Sequence, residues 1–159
     1  MDRFVGPASA VAIALVMLAA PFGSGRAQQS GQVQVGTLTC RGGAGTGFIL
    51  GSVTNLGCVL HVAGKPDDRY VAAIQNFGTD FGIDIGEAEI ALRWDVIAPT
   101  PWLTPGRLAG TYGRSGAAGN PDAHHLIGGA MALRPTRDQD EASRRIAEKL
   151  GSLELRYGG

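Results

Sequence analysis

"EAEIALRWDVIAPT", residues 87–100, is the stretch on which the fold turns. Glu87, Glu89, Ala91, Arg93 and Asp95 fall on one face of an extended chain, and Ala88, Ile90, Leu92, Trp94 and Val96 on the other. Successive side chains of a strand point to opposite sides of the sheet, so this pattern is what a half-buried antiparallel strand requires. The strand is expected to end at Pro99 and Pro101, which have no N–H to give to a central ladder. "TPWLTPG" (100–106) then reads as a connecting loop.

The same signal recurs on both sides. "QVQVGTLTC" (32–40) alternates Val33, Val35, Thr37 and Thr39 against Gln32, Gln34, Leu38 and Cys40, and its period slips near Gly36, which predicts a bend or bulge. "GFILG" (47–51) and "GCVLHVAG" (57–64) are short apolar runs, the second ended by the turn "GKPDD" (64–68). "RYVAAIQNFG" (69–78) reads as a further strand leading into "TDFGIDIG" (79–86). Beyond the proline loop come "RLAGTYGR" (107–114), the turn-rich "SGAAGNPDA" (115–123) and "HHLIGGAMALRP" (124–135), which resumes strand character. "DQDEASRRIAEKLG" (138–151) differs: Ala142, Ile146 and Leu150 recur at four-residue spacing, acidic residues lead, basic ones follow, and Gly151 stands where a helix stops. "SLELRY" (152–157) alternates again as a last strand. Many short strands and one late helix predict a mainly β fold, an antiparallel sandwich or small barrel with one short C-terminal helix. Glycine is abundant, 25 of 159 residues, but without a period, so neither collagen nor an internal repeat is indicated.

The first residues are of another kind. Arg3 precedes the unbroken apolar run "AVAIALVMLAAPF" (10–22), and Gly25 and Ala27 follow as the small residues of a cleavage site. Residues 1–27 therefore read as a secretory signal peptide and 28–159 as a single β-rich domain. The alternative, a membrane anchor, needs roughly 20 apolar residues. The expected location is periplasmic or secreted. Cleavage removes Asp2, Arg3 and Arg26 from a balanced set of 14 basic and 14 acidic side chains, leaving a single net negative charge. Such a chain has no field for nucleic acid. Cys40 and Cys58 both lie in the exported part, where a disulfide is the default, with a metal or redox pair as the alternative.

The glycine-rich "TCRGGAGTGFILG" (39–51) suggests a phosphate loop, but Phe48 and Ile49 stand where a Walker loop places Lys and a hydroxyl residue. Phe48 also replaces the third glycine of a dinucleotide fingerprint, so the stretch is read as a hairpin tip between two strands. "DFG" (80–82) lacks every other kinase element, Asp80 and Asp84 fall short of calcium ligation, and "GRSGA" (113–117) misses a serine elbow at its last residue. No catalytic, cofactor-binding or metal-ligating set is assigned. Tyr70, Trp94, Trp102 and Tyr112 are the aromatics able to line an apolar ligand pocket, although such residues also serve as core. A metal-assisted site would have to gather His61, His124 and His125, which no spacing supports.

"VGTLTC" (35–40), "GFILGS" (47–52), "LGCVL" (56–60), Tyr70, "IQNFGTDFGIDIG" (74–86), "APT" (98–100), "PGRLAGTYG" (105–113), "LIGG" (126–129) and "ALRP" (132–135) occur in order along the chain. In these the chain resembles a family of small exported alphaproteobacterial proteins known as domain of unknown function 992. That resemblance implies no activity or ligand, and the charged 138–151 segment departs from it. "GIDIGEAEIALRWDVI" (82–97) and "GRLAGTYG" (106–113) are also similar to fragments of lipid-binding domains of the Ysc84 type. The expected function is that of a non-catalytic envelope structural or binding protein. The alternatives are a lipid or small apolar ligand held inside the barrel or sandwich, and a metal-assisted enzyme. A lipid or another envelope component is the partner compatible with the first two readings.

Overall fold

The computed structural model describes residues 31–42, 47–49, 52–75, 91–114 and 124–159. These form β1 (Val33–Arg41), β2 (Gly47–Ile49), β3 (Ser52–His61), β4 (Asp68–Gln75), β5 (Ala91–Ala98), β6 (Gly110–Arg114), β7 (Leu126–Gly128), β8 (Met131–Pro135), α1 (Glu141–Lys149) and β9 (Ser152–Tyr157). The expected signal peptide, Asp80 and Asp84, the opening residues 87–90 of the alternating stretch and the turn-rich segment 115–123 lie outside the described residues.

β5 keeps the expected alternation: Leu92, Trp94, Val96 and Ala98 are buried, while Ala91, Arg93, Asp95 and Ile97 are only partly covered. It pairs with β1 on one side and β8 on the other. The neighbours run β1-β5-β8-β7-β6-β9-β4-β3, and β1 also pairs with β3, so eight antiparallel strands close on themselves. The sequence allows a sandwich or a barrel, and the β1–β3 seam makes it a barrel. Closure removes the free edges that an open sheet would expose around the ring.

An eight-stranded barrel is just wide enough to be filled by its own side chains. Leu38, Leu56, Tyr70, Ile74, Trp94, Tyr112, Leu133 and Leu153 are each less than 3 % exposed and fill it from different strands. Burying a leucine-sized side chain is worth about 1.5–3 kcal/mol, so the interior is the main source of stability. Arg69, Arg134 and Arg156 are exposed on the outer wall, which Asp95 and Glu154 also share. A lipid-facing barrel carries an apolar outer band instead. Among the described residues no helix is long and apolar enough to cross a membrane.

Cys40 and Cys58 face each other across the closing seam and form a disulfide, as expected. The bond sits inside the barrel, its cysteines 0 % and 2 % exposed. Disulfides persist in oxidising compartments, so the bond belongs to a non-cytoplasmic setting. The period slip near Gly36 is also observed, as a register shift in the β1–β5 ladder between Gln34 and Gly36.

The hairpin-tip reading of residues 39–51 is corrected. β2 pairs with β3, through Gly47↔Thr54, Phe48↔Val53 and Ile49↔Ser52, on the edge of β3 that β1 occupies further along. β1 and β2 are thus successive lengths of one line running antiparallel to β3. Arg41 and Gly47 therefore belong to two collinear strands and not to the two arms of one hairpin. Residues 43–46 themselves lie outside the description.

"HHLIGGAMALRP", whose strand character is as expected, folds as a hairpin of two short strands. Gly128 pairs with Met131, and Gly129 takes φ +61° in the two-residue turn, where an L side chain would be strained.

Asp140 caps α1, its side chain accepting from the Ser143 N–H at 2.9 Å. The buried stripe is Ser143, Ile146, Ala147 and Leu150, and Ala142 is exposed. Positions i, i+3, i+4 and i+7 track a 3.6-residue turn, whereas a spacing of four drifts off the face. Gly151 does not adopt a left-handed conformation; the helix ends because Leu150 turns extended (ψ 133°) with its side chain fully buried. Arg114 of β6 donates to the carbonyls of Glu148 and Leu150, satisfying groups that a helix end leaves unpaired.

Candidate functional site

The end of the barrel opposite α1 is covered by residues 99–109, which run from β5 to β6 as a strap. Leu103 and Leu108 drop from it into the core, 8 % and 0 % exposed. Prolines 99, 101 and 105 keep the chain from adding to the sheet, leaving its backbone groups to other partners. Lys65 Nζ donates to the Leu103 carbonyl at 3.1 Å, and the Gly106 N–H donates to Asp68 Oδ2 at 2.9 Å. The Leu108 N–H donates to Tyr70 Oη at 3.3 Å, and Tyr112 Oη donates to the Leu108 carbonyl at 2.8 Å.

Asp68 and Tyr70 hold this network together. Tyr70 Oη donates to Asp68 Oδ2 at 2.6 Å, so one carboxylate oxygen receives both the phenol and the strap amide. Burial, and then the hydrogen bond to Asp68, push the Tyr70 phenol far above its ordinary range. Burial pushes Tyr112 up to about 12, with the Arg107 charge opposing it. Both phenols are therefore neutral donors at physiological pH.

Two clefts flank the strap. One, of about 340 Å³, is bounded by Thr100, Trp102, Arg107, Tyr112, the glycine turn at 128–129 and Met131. The other, of about 440 Å³, lies between Lys65–Asp68, Leu103–Pro105 and Tyr157. A Cβ at Gly128 would stand 2.6 Å from the Tyr112 ring, so only glycine lets that ring close over the turn. Trp102 is 75 % exposed, with the Lys65 ammonium 5.6 Å from its ring centroid. Tyr157, 49 % exposed, stands edge-on to Tyr70 with ring centroids 5.8 Å apart.

The four aromatics named from sequence are thus separated. Trp94 is fully buried in the core, and among the described residues its indole N–H has no hydrogen-bond partner. Tyr70 and Tyr112 are buried beneath the strap, where their hydroxyls hold it. Trp102 alone of the four reaches solvent, and it shares the first cleft with Tyr112. The three histidines are not brought together. His61 ends β3 at the strap end, 2.8 Å from Asp67, whereas His124 and His125 precede β7 at the helix end, with His124 3.4 Å from the Glu148 carbonyl. Among the described residues no group of three potential metal ligands forms.

Lys65, Asp68, Arg107 and Tyr157 were not singled out in the sequence. Each stands in an ordinary turn or strand end, and their convergence rests on contacts such as Asp68 to Gly106, 38 residues apart. The one local hint is "PGRLAGTYG" (105–113), which contains Arg107, Leu108 and Tyr112 together.

No curated protein and no solved structure matches the chain. A family model described as "Protein of unknown function (DUF992)" matches residues 19–156. Its match spans nearly the whole described barrel, strap included, and the chain therefore belongs to the DUF992 family.

Proposed function

We propose that this is an exported, non-catalytic binding protein of the cell envelope, periplasmic or secreted, which engages its partner at the strapped end of the barrel. The observation that carries the reading is Trp102, a large apolar ring held 75 % exposed on a strap that hydrogen bonds fix in place. An indole that leaves most of its apolar surface in water on an ordered strap presents a contact of the kind tryptophan supplies at binding surfaces. The signal-like segment 1–27 and the buried Cys40–Cys58 bond support export.

A binding role fits the chemistry of this end better than a catalytic one. The phenols are held neutral far above physiological pH, where they are poor proton carriers. Asp68 is occupied by two hydrogen bonds that hold the fold. Large side chains fill the described interior, which favours an outer cleft over the lumen for any apolar ligand.

The test is native mass spectrometry of the full chain expressed with its own N-terminus and recovered from the periplasm. A mature mass beginning near residue 28, two hydrogens short for the disulfide, with a bound adduct lost in Trp102→Ala, is the expected result. A chain retained in the cytoplasm, or an adduct indifferent to Trp102, would refute the reading.

A further inference from the structure

The cleft beside Trp102 has a charge character that the rest of the strapped end lacks. Among the described residues no acidic side chain lines it. Arg107 does line it, and among the described residues its guanidinium has no carboxylate within ion-pair distance. By contrast, Asp67 in the neighbouring cleft is paired with His61, Asp68 is taken by Tyr70 and Gly106, and Lys65 is taken by Leu103 and Trp102. A guanidinium presents donors in a planar fork that matches a carboxylate.

The rest of the lining adds two more requirements. Trp102 offers an aromatic surface whose position is held by the Lys65 ammonium and by a strap with two buried leucines. Thr100, whose hydroxyl donates to the Trp102 carbonyl at 3.3 Å and keeps its acceptor side, Thr111 and the backbone of the 128–130 turn line the cleft around it. The cleft, about 340 Å³, has the size of sites that take small molecules, which bury one face on an aromatic and are oriented by a few polar groups.

Taken together, the geometry points to a ring that carries a carboxylate, and we propose an acidic saccharide as the ligand. The carboxylate meets Arg107, the ring lies against Trp102, and the ring hydroxyls meet Thr100, Thr111 and the turn backbone. This assignment rests on the reading of the strapped end as a binding surface. An aromatic acid would share the carboxylate and ring but would bring no hydroxyls to the Thr111 side chain and the turn backbone, and desolvating those groups unpaired opposes binding.

The protein reports on this site by itself. It has two tryptophans, one buried in the core and one 75 % exposed in the cleft, so a change in acrylamide quenching identifies Trp102. The mature chain is titrated with an oligogalacturonate, a neutral gluco-oligosaccharide of equal length, and benzoate. The oligogalacturonate is expected to shield Trp102 and shift its emission to the blue, with binding that weakens as salt rises. Arg107→Gln is expected to weaken it 10- to 100-fold with an unchanged melting temperature, since the side chain is exposed. The neutral oligosaccharide is expected not to bind over the same range. Equal binding of the neutral sugar, or unchanged binding by Arg107→Gln, overturns the proposal. Benzoate binding without oligogalacturonate binding overturns the saccharide as the source of the carboxylate ring. If no carboxylate binds while the Trp102-dependent native adduct persists, this assignment alone fails; if that adduct is missing too, the binding reading fails with it.

Discussion

The Cys40–Cys58 bond lies across the seam that turns a sheet into a barrel, and its removal is the most direct test of the fold. The perturbation is Cys40→Ala together with Cys58→Ala. The two cysteines are 18 residues apart, and cross-linking a loop of that size removes unfolded-state entropy worth about 3 kcal/mol at 25 °C. Two small interior voids add to the loss, because both positions are fully enclosed. For a domain of this length about 3 kcal/mol corresponds to a fall in Tm of roughly 10 °C. Urea unfolding followed by far-UV circular dichroism measures the loss, and amide hydrogen exchange locates it. The β1–β3 amides, around Leu38–Cys40 and Val59–Leu60, are expected to lose more protection than those of the β4–β9 ladder. A second consequence follows from burial. A thiol reductant cannot reach a bond whose cysteines are 0–2 % exposed, so native reduction should proceed no faster than unfolding. A stability loss below about 1 kcal/mol, which the chain-entropy account does not allow, would refute this reasoning. So would exchange that rises evenly around the barrel, or rapid native-state reduction.

Three further tests address the strap and the helix. Asp68→Ala removes the acceptor shared by Tyr70 and the Gly106 amide, leaving a buried donor behind, and is expected to cost about 1–3 kcal/mol. Faster exchange at the Gly106 and Leu108 amides, with the β1–β5 ladder unchanged, would show that the loss is confined to the strap. Tyr70 and Tyr112 have folded-state pKa values raised above the unfolded value near 10, so the stability they contribute is fully present below pH 10 and is lost as pH rises through the folded values, about 12 for Tyr112. Ultraviolet titration of phenolate should therefore show two of the three tyrosines ionising only as the near-UV dichroism collapses; ionisation of more than one of the three with the fold intact would contradict the burial of Tyr70 and Tyr112. The carboxyl of Asp140 is lowered below its ordinary value chiefly by the hydrogen bond from Ser143, so its contribution is present above the ordinary aspartate range and is lost as pH falls through the lowered value. Asp140→Asn keeps an acceptor at the cap and is expected to flatten the acid side of the stability profile; an unchanged profile would show that the cap carries none of it.

Much of this architecture was legible in the sequence wherever the signal was local. Alternation at Leu92, Trp94 and Val96 reports burial of one face directly, and the slip at Gly36 announced the observed bulge for the same reason. The charge order and apolar recurrence of 138–151 announced a helix, although the true stripe passes through Ser143 and Ala147. Periodicity says which face is inside and is silent about which strand lies alongside. It therefore could not tell that "GFI" at Gly47–Ile49 continues the line of β1 beside β3, nor that one apolar run would fold back at Gly129.

The candidate site shows the same division. From composition, the sequence determined that few aromatics were available and that Cys40 and Cys58 had only each other to pair with among cysteines. Only the tertiary structure decided that Trp94, Tyr70 and Tyr112 go inward while Trp102 stays out, and that Lys65 and Arg107 come to rest beside it. The physical reason is closure. A strand's own side chains determine its inward face, but the neighbours it meets at the barrel's end depend on how eight strands are joined, and that is settled by the packing of the whole interior.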